Sequence, residues 1–235
     1  MPFKRSILIV SALLAVSCHQ APKPEITTAY DTHFEILNGK VKQLQEMYRE
    51  GKEAQSDTDI NDFDIHGKLI RTKKAGSSNG MIKYEYKFDK GGKKMELTVK
   101  NNQRLFPYNY KYDVNGRIIQ QTIDTKMLKP NSDHELVQDR FFYKYDNTGN
   151  RIEVDYYFEQ EHKYRILYRY NDKRLLLEEQ YFYGDDKKPS NKITYRYTSF
   201  DEQGNWLRRI GQVKDYGPIR QEISEPVVTR KISYY

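Results

Sequence analysis

Few residue groups in this 235-residue chain could do chemistry, and each falls short of specifying a reaction. The run Asp57-Thr58-Asp59-Ile60-Asn61-Asp62-Phe63-Asp64 offers oxygen ligands at near-alternate positions, as a calcium loop does. The helix-loop-helix calcium pattern requires Gly where Asp62 stands and Glu where Lys68 stands, so the match fails twice. A solvated acidic turn is the expected reading. His134-Glu135 opens like a zinc-protease motif, but Gln138 occupies the second histidine position. The five histidines show no ligand spacing. There is no Gly-rich phosphate loop and no nucleophile elbow. Two carboxylates from distant strands could meet as an acid pair for glycoside cleavage, yet nothing in the sequence singles a pair out. No catalytic residue, metal or cofactor is expected. Trp206, the sole tryptophan, could stack on a sugar ring, although capping a hydrophobic core is the commoner use of such a residue. Tyr157, Tyr216 and Tyr235 could add stacking surface.

The one covalent chemistry with a clear signal is at the amino terminus. Lys4 and Arg5 precede an apolar stretch from Ile7 to Val16, which is too short to span a bilayer and reads as a secretory signal. Ala15-Val16-Ser17-Cys18 resembles the bacterial lipobox, with Ala15 where leucine is usual. Cys18 is the only cysteine, so it would become the acylated first mature residue, and no disulfide can form. More than one acyl chain gives stable anchoring where a single chain is marginal. The expected division is a signal peptide over 1–17, a lipidated tether over 18–31 with Pro22 and Pro24 favouring extended backbone, and a single domain over 32–235. The formal charge of +7 could suit nucleic acid, but export excludes that partner. Anionic lipid or a phosphorylated glycan is better placed.

The elements that must position any site come from a repeated phrase. "FDIHGKLI", "YEYKFDKGGKKM", "YNYKYDVNGRII", "FYKYDNTGNRIEV", "YRYNDKRLLL" and "SFDEQGNWLRR" align on an aromatic residue followed by Asp or Asn. In five copies a glycine stands three positions after the aspartate: Asp64/Gly67, Asp89/Gly92, Asp113/Gly116, Asp146/Gly149 and Asp201/Gly204. Aspartate at the first position of a type I turn accepts an amide two residues on, and glycine supplies the left-handed residue that completes a turn-plus-bulge hairpin. The copy at Asn171-Asp172 lacks the glycine and predicts a two-residue primed turn. Flanking residues alternate: Tyr108, Tyr110 and Tyr112 on one face, Asn109 and Lys111 on the other. Leu37–Glu50 fits an opening strand.

About a dozen strands follow, and open sheets of that size curl. The fold expected is all-β: an antiparallel up-and-down meander of repeated hairpins forming a strongly curved sheet or incomplete barrel. In a meander the Asp-x-x-Gly turns gather at one sheet end. The long polar connections Thr125–Asp139, Gly184–Lys192 and Lys214–Pro226 gather at the other, where binding usually resides. Lys187, Lys188 and His134, with Tyr157, Tyr216 and Trp206, are the binding candidates.

The phrases resemble the YD repeats of RHS-type proteins, approximately Tyr-x-Tyr-Asp-x-x-Gly-Arg-aliphatic. Tyr110 to Ile118 matches throughout, Tyr143 to Ile152 matches with Asn150 inserted, and the likeness covers roughly Phe63 to Tyr235. It implies a repeat scaffold and transfers no catalytic residues. The expected function is that of a membrane-anchored envelope lipoprotein serving as a non-catalytic binding or scaffold module for a protein or glycan. The alternatives are a glycan-processing enzyme with carboxylates in the concave face, and a periplasmic toxin inhibitor or immunity lipoprotein. The expected place is the cell envelope, at the outer membrane of a Gram-negative bacterium, facing either way.

Overall fold

The computed structural model describes residues 26–28, 36–49, 57–76, 80–90, 94–100, 108–124, 138–216 and 225–235. Cys18, Gly92 and His134 lie outside them. The strands are β1 (Ile26–Thr28), β2 (Ile36–Asn38), β3 (Val41–Arg49), β4 (Asp57–Phe63), β5 (Leu69–Gly76), β6 (Gly80–Phe88), β7 (Lys94–Lys100) and β8 (Tyr108–Tyr112). They continue as β9 (Ile118–Asp124), β10 (Gln138–Tyr145), β11 (Arg151–Phe158), β12 (Glu161–Tyr170), β13 (Leu176–Tyr183), β14 (Asn191–Phe200), β15 (Trp206–Asp215) and β16 (Val227–Tyr234). Ile26–Thr28, within the expected tether, pairs with β2.

Fourteen strands form one antiparallel sheet in the order β7-β6-β5-β4-β3-β16-β15-β14-β13-β12-β11-β10-β9-β8, which is not closed into a barrel. The meander is circular in logic. The first long strand, β3, lies beside the last, β16, while the consecutive strands β7 and β8 form the two edges. Apart from the short β1–β2 pair, no second layer covers this sheet among the described residues. Val41, Leu44 and Asn61 nevertheless have no exposed surface. Leu37 of β2 and, from the sheet itself, Phe63, Leu69, Tyr86, Ile232 and Tyr234 pack with Val41 and Leu44, so the sheet curves around a buried face. That face holds two apolar clusters: Leu37, Val41, Leu44, Phe63 and Leu69 near the β3–β4 corner, and Val154, Tyr168 and Leu176 across β11 to β13.

The turns follow the expected chemistry and add to it. In the hairpins at Asp64, Asp113, Asp146 and Asp201, the amides of Gly67, Gly116, Gly149 and Gly204 donate to the respective aspartate carbonyls. The φ angles are +77° at Gly67, +78° at Gly116, +89° at Gly149 and +83° at Gly204, all left-handed. One carboxylate oxygen of each aspartate accepts two amides, from the second and the fourth residue on: His66 and Lys68, Asn115 and Arg117, Thr148 and Asn150, Gln203 and Asn205. Burial would raise the Asp113 and Asp146 carboxyls, but these hydrogen bonds and their side-chain partners outweigh it and hold both below the usual aspartate range. The glycine-free copy is not the two-residue turn expected. Asn171 Oδ1 accepts from Lys173 and Leu175, and Arg174 takes the glycine's place at φ +63°. An amide oxygen substitutes for the carboxylate, and Arg174 Nε donates to Asn150 Oδ1 of the neighbouring turn at 2.9 Å, offsetting the left-handed backbone.

The tyrosine before the turn residue staples repeats together. Tyr145 Oη donates to the Ile118 carbonyl, and Tyr170 Oη donates to the Arg151 carbonyl, each reaching the preceding hairpin. Arg117, just after Gly116, donates to Asp113 and to the Asp146 carbonyl while lying over the Tyr145 ring at 4.9 Å.

Gly116 has open space where a Cβ would stand. Gly116→Ala should therefore cost only the backbone term, about 1 kcal/mol, in urea denaturation. Asp146→Ala should cost about 1–2 kcal/mol through its orphaned amides, and Asp146→Asn much less, because Asn171 already makes this turn.

Candidate functional site

Three surfaces can be examined for function: the buried face, the opposite face and the loop end. On the buried face, Arg230, Glu46, Asp59 and Lys74 are successive cross-strand partners on β16, β3, β4 and β5. Arg230 Nε donates to Glu46 Oε1 at 2.7 Å, with both side chains almost fully enclosed. Tyr48 Oη donates to Glu46 Oε2 at 2.9 Å, and Lys74 Nζ lies 3.0 Å from Asp59. Beside this row the Arg230 guanidinium covers the Trp206 ring at 3.3 Å, and Arg209 lies over both Trp206 and Tyr195. Glu179 accepts from Tyr181 Oη at 2.6 Å. Burial first, and then the nearby carboxylates, push the phenols of Tyr48, Tyr181 and Tyr195 far up, so all three stay neutral at physiological pH.

Glu46 and Asp59 are cross-strand neighbours on the buried face, where the glycan-processing alternative would need its carboxylate pair. Each is bound to a cation, and Glu46 is 1% exposed, so neither carboxylate is open to a substrate. Glu46 and Asp59 are each matched by a cation within the protein. Sequence reading missed the row because its members come from four strands. The local hint was the continued alternation Leu44, Glu46, Tyr48 along β3.

The opposite face is studded with ion pairs: Arg71 with Asp62 at 2.5 Å, Lys144 with Glu153 at 2.5 Å, and Glu178 with Lys192 at 2.6 Å and Arg169 at 3.1 Å. Burial would raise Glu178, but hydrogen bonds from Lys192, Gln180 and Arg169 outweigh it and hold it at about 2. Asp155 is pushed up by burial and by its hydrogen bond with Glu153. A wall facing lipid tails is apolar, and a midplane charge there costs a few kcal/mol. This face is built for water.

A cleft of about 350 Å³ lies between the turns at Asp146 and Asn171, floored by Tyr168 and Tyr170. The acceptors of Asp146 and Asn171 are already engaged in their own turns. Gly67, Gly149 and Gly204 do not line this cleft, although Gly149 belongs to one of the two turns that border it. What they contribute is left-handed backbone, and two of them have a neighbour at ordinary contact distance. A Cβ at Gly149 would stand 3.7 Å from Arg174 Nη2, and one at Gly204 would stand 3.6 Å from Asn38 Nδ2. These turn residues shape the scaffold.

At the loop end, Lys187 and Lys188 are exposed on the β13–β14 connection. The Tyr216 amide donates to the Ser190 carbonyl, tying that connection to the end of β15, and the half-exposed Tyr216 ring lies under Lys214. Phe158 and Tyr183, exposed at the same ends of β11 and β13, add apolar surface. Tyr157 packs edge-on against Phe142, tilts over His162 and carries Arg140 above its ring. His162 stands between two carboxylates, Asp155 at 3.3 Å and Asp185 at 3.1 Å. The structure thus brings Lys187, Lys188 and Tyr216 to one edge. It puts Trp206 elsewhere: 2% exposed under Arg230, where no sugar ring can reach it.

No protein-family model matches this chain, and no curated protein matches it significantly. Among solved structures it is similar to a porin-like protein from Bacteroides uniformis, with a TM-score of 0.51 and 10% identity over 82% of this chain and 96% of the other. At that identity the likeness is one of fold. A structure of TcdB2-TccC3-TEV aligns with 69% of this chain and 11% of its own at 13% identity, but the TM-score of 0.27 gives that superposition no weight.

Arg230→Met should destabilise the protein by about 3–5 kcal/mol, since it leaves Glu46 buried without its cation. Arg230→Met with Glu46→Gln should recover much of that loss in thermal unfolding. Glu178 is lowered from 4.5 to about 2, so its contribution is complete above pH 4.5 and disappears as pH falls towards 2. Glu178→Gln should flatten the stability curve across that window, by about 1 kcal/mol after solvent screening.

Proposed function

We propose that this chain is a lipid-anchored, non-catalytic envelope protein that uses its curved sheet as a rigid support and offers its loop end to a protein or glycan partner. The observation that carries this reading is the pairing of a charged outward face with a charge-matched, closed inward face. The first keeps the sheet in water, and in the second Glu46 and Asp59 are each engaged by a cation. A sheet of this kind needs a separate hold on a membrane, and the lipobox-like Ala15-Val16-Ser17-Cys18 supplies one. The porin-like description of the similar fold is in keeping with an envelope setting. The YD-like phrase accounts for the scaffold rather than for the binding, since its Asp, Gly, Arg and Tyr are spent on turns and on links between hairpins.

The loop end is the favoured contact surface because Phe158, Tyr183 and Tyr216 leave apolar area exposed there beside Lys187, Lys188 and Lys214. Aromatic side chains with a polar tip suit both sugar faces and protein interfaces.

Cys18→Ala should move the protein from the membrane fraction to the soluble fraction, and unchanged partitioning would refute the anchor. Purified envelope glycan and detergent-solubilised envelope proteins, passed over the immobilised full chain, should be retained by the native loops. Retention should fall at least tenfold when Lys187, Lys188 and Tyr216 are replaced together by Ser. Hydrolysis of a glycan panel by the native protein would instead establish an enzyme.

A further inference from the structure

We infer that the two ends of the sheet face opposite ways at the membrane: the Asp-x-x-Gly turn end sits next to the bilayer, and the loop end points away from it. This orientation rests on the lipid-anchor reading above and adds a direction to it. The chain comes into the fold at the turn end. Ile26 of β1 is the cross-strand partner of Asn38. Asn38 is fixed to the last turn by two hydrogen bonds, its amide donating to Asn205 Oδ1 at 2.7 Å and its carbonyl accepting from Asn205 Nδ2 at 2.9 Å. Asn205 Nδ2 also meets Tyr234 Oη at 2.8 Å, and Tyr234 Oη donates to Asp201, so the incoming chain, the last turn and the final strand form one knot. Leu37, 1% exposed, closes that end of the buried face against Val41, Leu44, Phe63 and Leu69.

Cys18 lies eight positions before Ile26. Fully stretched, that stretch reaches about 28 Å, and in the extended form that Pro22 and Pro24 favour it spans about 25 Å. From Asn191 at the loop end to Phe200 at the turn end, β14 extends about 31 Å along the strand. Turning the body over so that Lys187 met lipid would carry Ile26 farther from the bilayer than the tether reaches. The bilayer that holds the anchor is therefore not the partner of the loop end. Its occupant is a protein or polymer lying off the membrane surface, at a distance set by the strand length.

The test uses the full-length lipidated chain, whose single native cysteine is consumed by acylation. Glu202→Cys at the exposed tip of the last turn and Lys187→Cys at the exposed loop tip each receive one donor dye. Each protein is reconstituted in phosphatidylethanolamine–phosphatidylglycerol vesicles carrying a headgroup acceptor. Energy transfer should be several-fold stronger from position 202 than from position 187. Equal transfer, or stronger transfer from 187, would overturn the orientation while leaving the anchor intact. Vesicle binding that persists in Cys18→Ala versions of both labelled proteins, or its absence in the lipidated ones, would overturn the anchor and the orientation with it.

Discussion

A single side-chain oxygen that accepts two backbone amides, from the second and fourth residues beyond it, sets the geometry of five hairpins in this protein. Asp64, Asp113, Asp146 and Asp201 do this with a carboxylate and Asn171 with an amide, so the requirement is for an acceptor rather than a charge. Each such turn reverses the chain within a few residues and starts the next strand in register. Arg117 after one turn, and Tyr145 and Tyr170 before two others, then bind the adjacent hairpin. Pairing strands and linking turns are thus done by the same short phrase, which explains how a chain with no disulfide holds a fourteen-stranded sheet.

The sheet must still bury something, and its composition limits what that can be. Tyrosines dominate the inward positions, and every phenol needs a partner or must lose hydrogen bonds to water. The solution is a polar interior: Glu46 between Arg230 and Tyr48, Glu179 with Tyr181, and guanidinium groups lying over Trp206 and Tyr195. Such an interior gains less from burial than an aliphatic one, and removing either partner of a buried pair is costly. It favours one arrangement of strands strongly, because a shifted register would strand charges without partners.

Because the meander returns β16 to β3, the first long strand and the last meet in the interior of the sheet and not at its edges. The amino-terminal approach is locked there by Asn205 and Tyr234. One end of the sheet therefore holds the turns and the junction of Asn38 with Asn205, and the other holds the connections between repeats. Division of labour between the two ends follows from topology alone.

The sequence by itself determined what is local. Acceptor, glycine and aromatic residue lie within a few positions of one another, so the hairpins closed by Gly67, Gly116, Gly149 and Gly204, the all-β class and the gathering of Lys187, Lys188 and Tyr216 at one edge could be read directly. Where the local signal weakened, at Asn171 and Arg174, the turn type was misread, because the hydrogen bond that supports Arg174 comes from Asn150 on another hairpin. Tertiary structure alone decided the rest. Glu46 and Arg230 are 184 positions apart, Asn38 and Asn205 are 167 apart, and no periodicity marks either pair. Whether Trp206 meets solvent or a guanidinium depended on which strand lay beside β15. A sheet's face is written in its alternation, but its neighbours across closure are chosen only when the whole ribbon has curved.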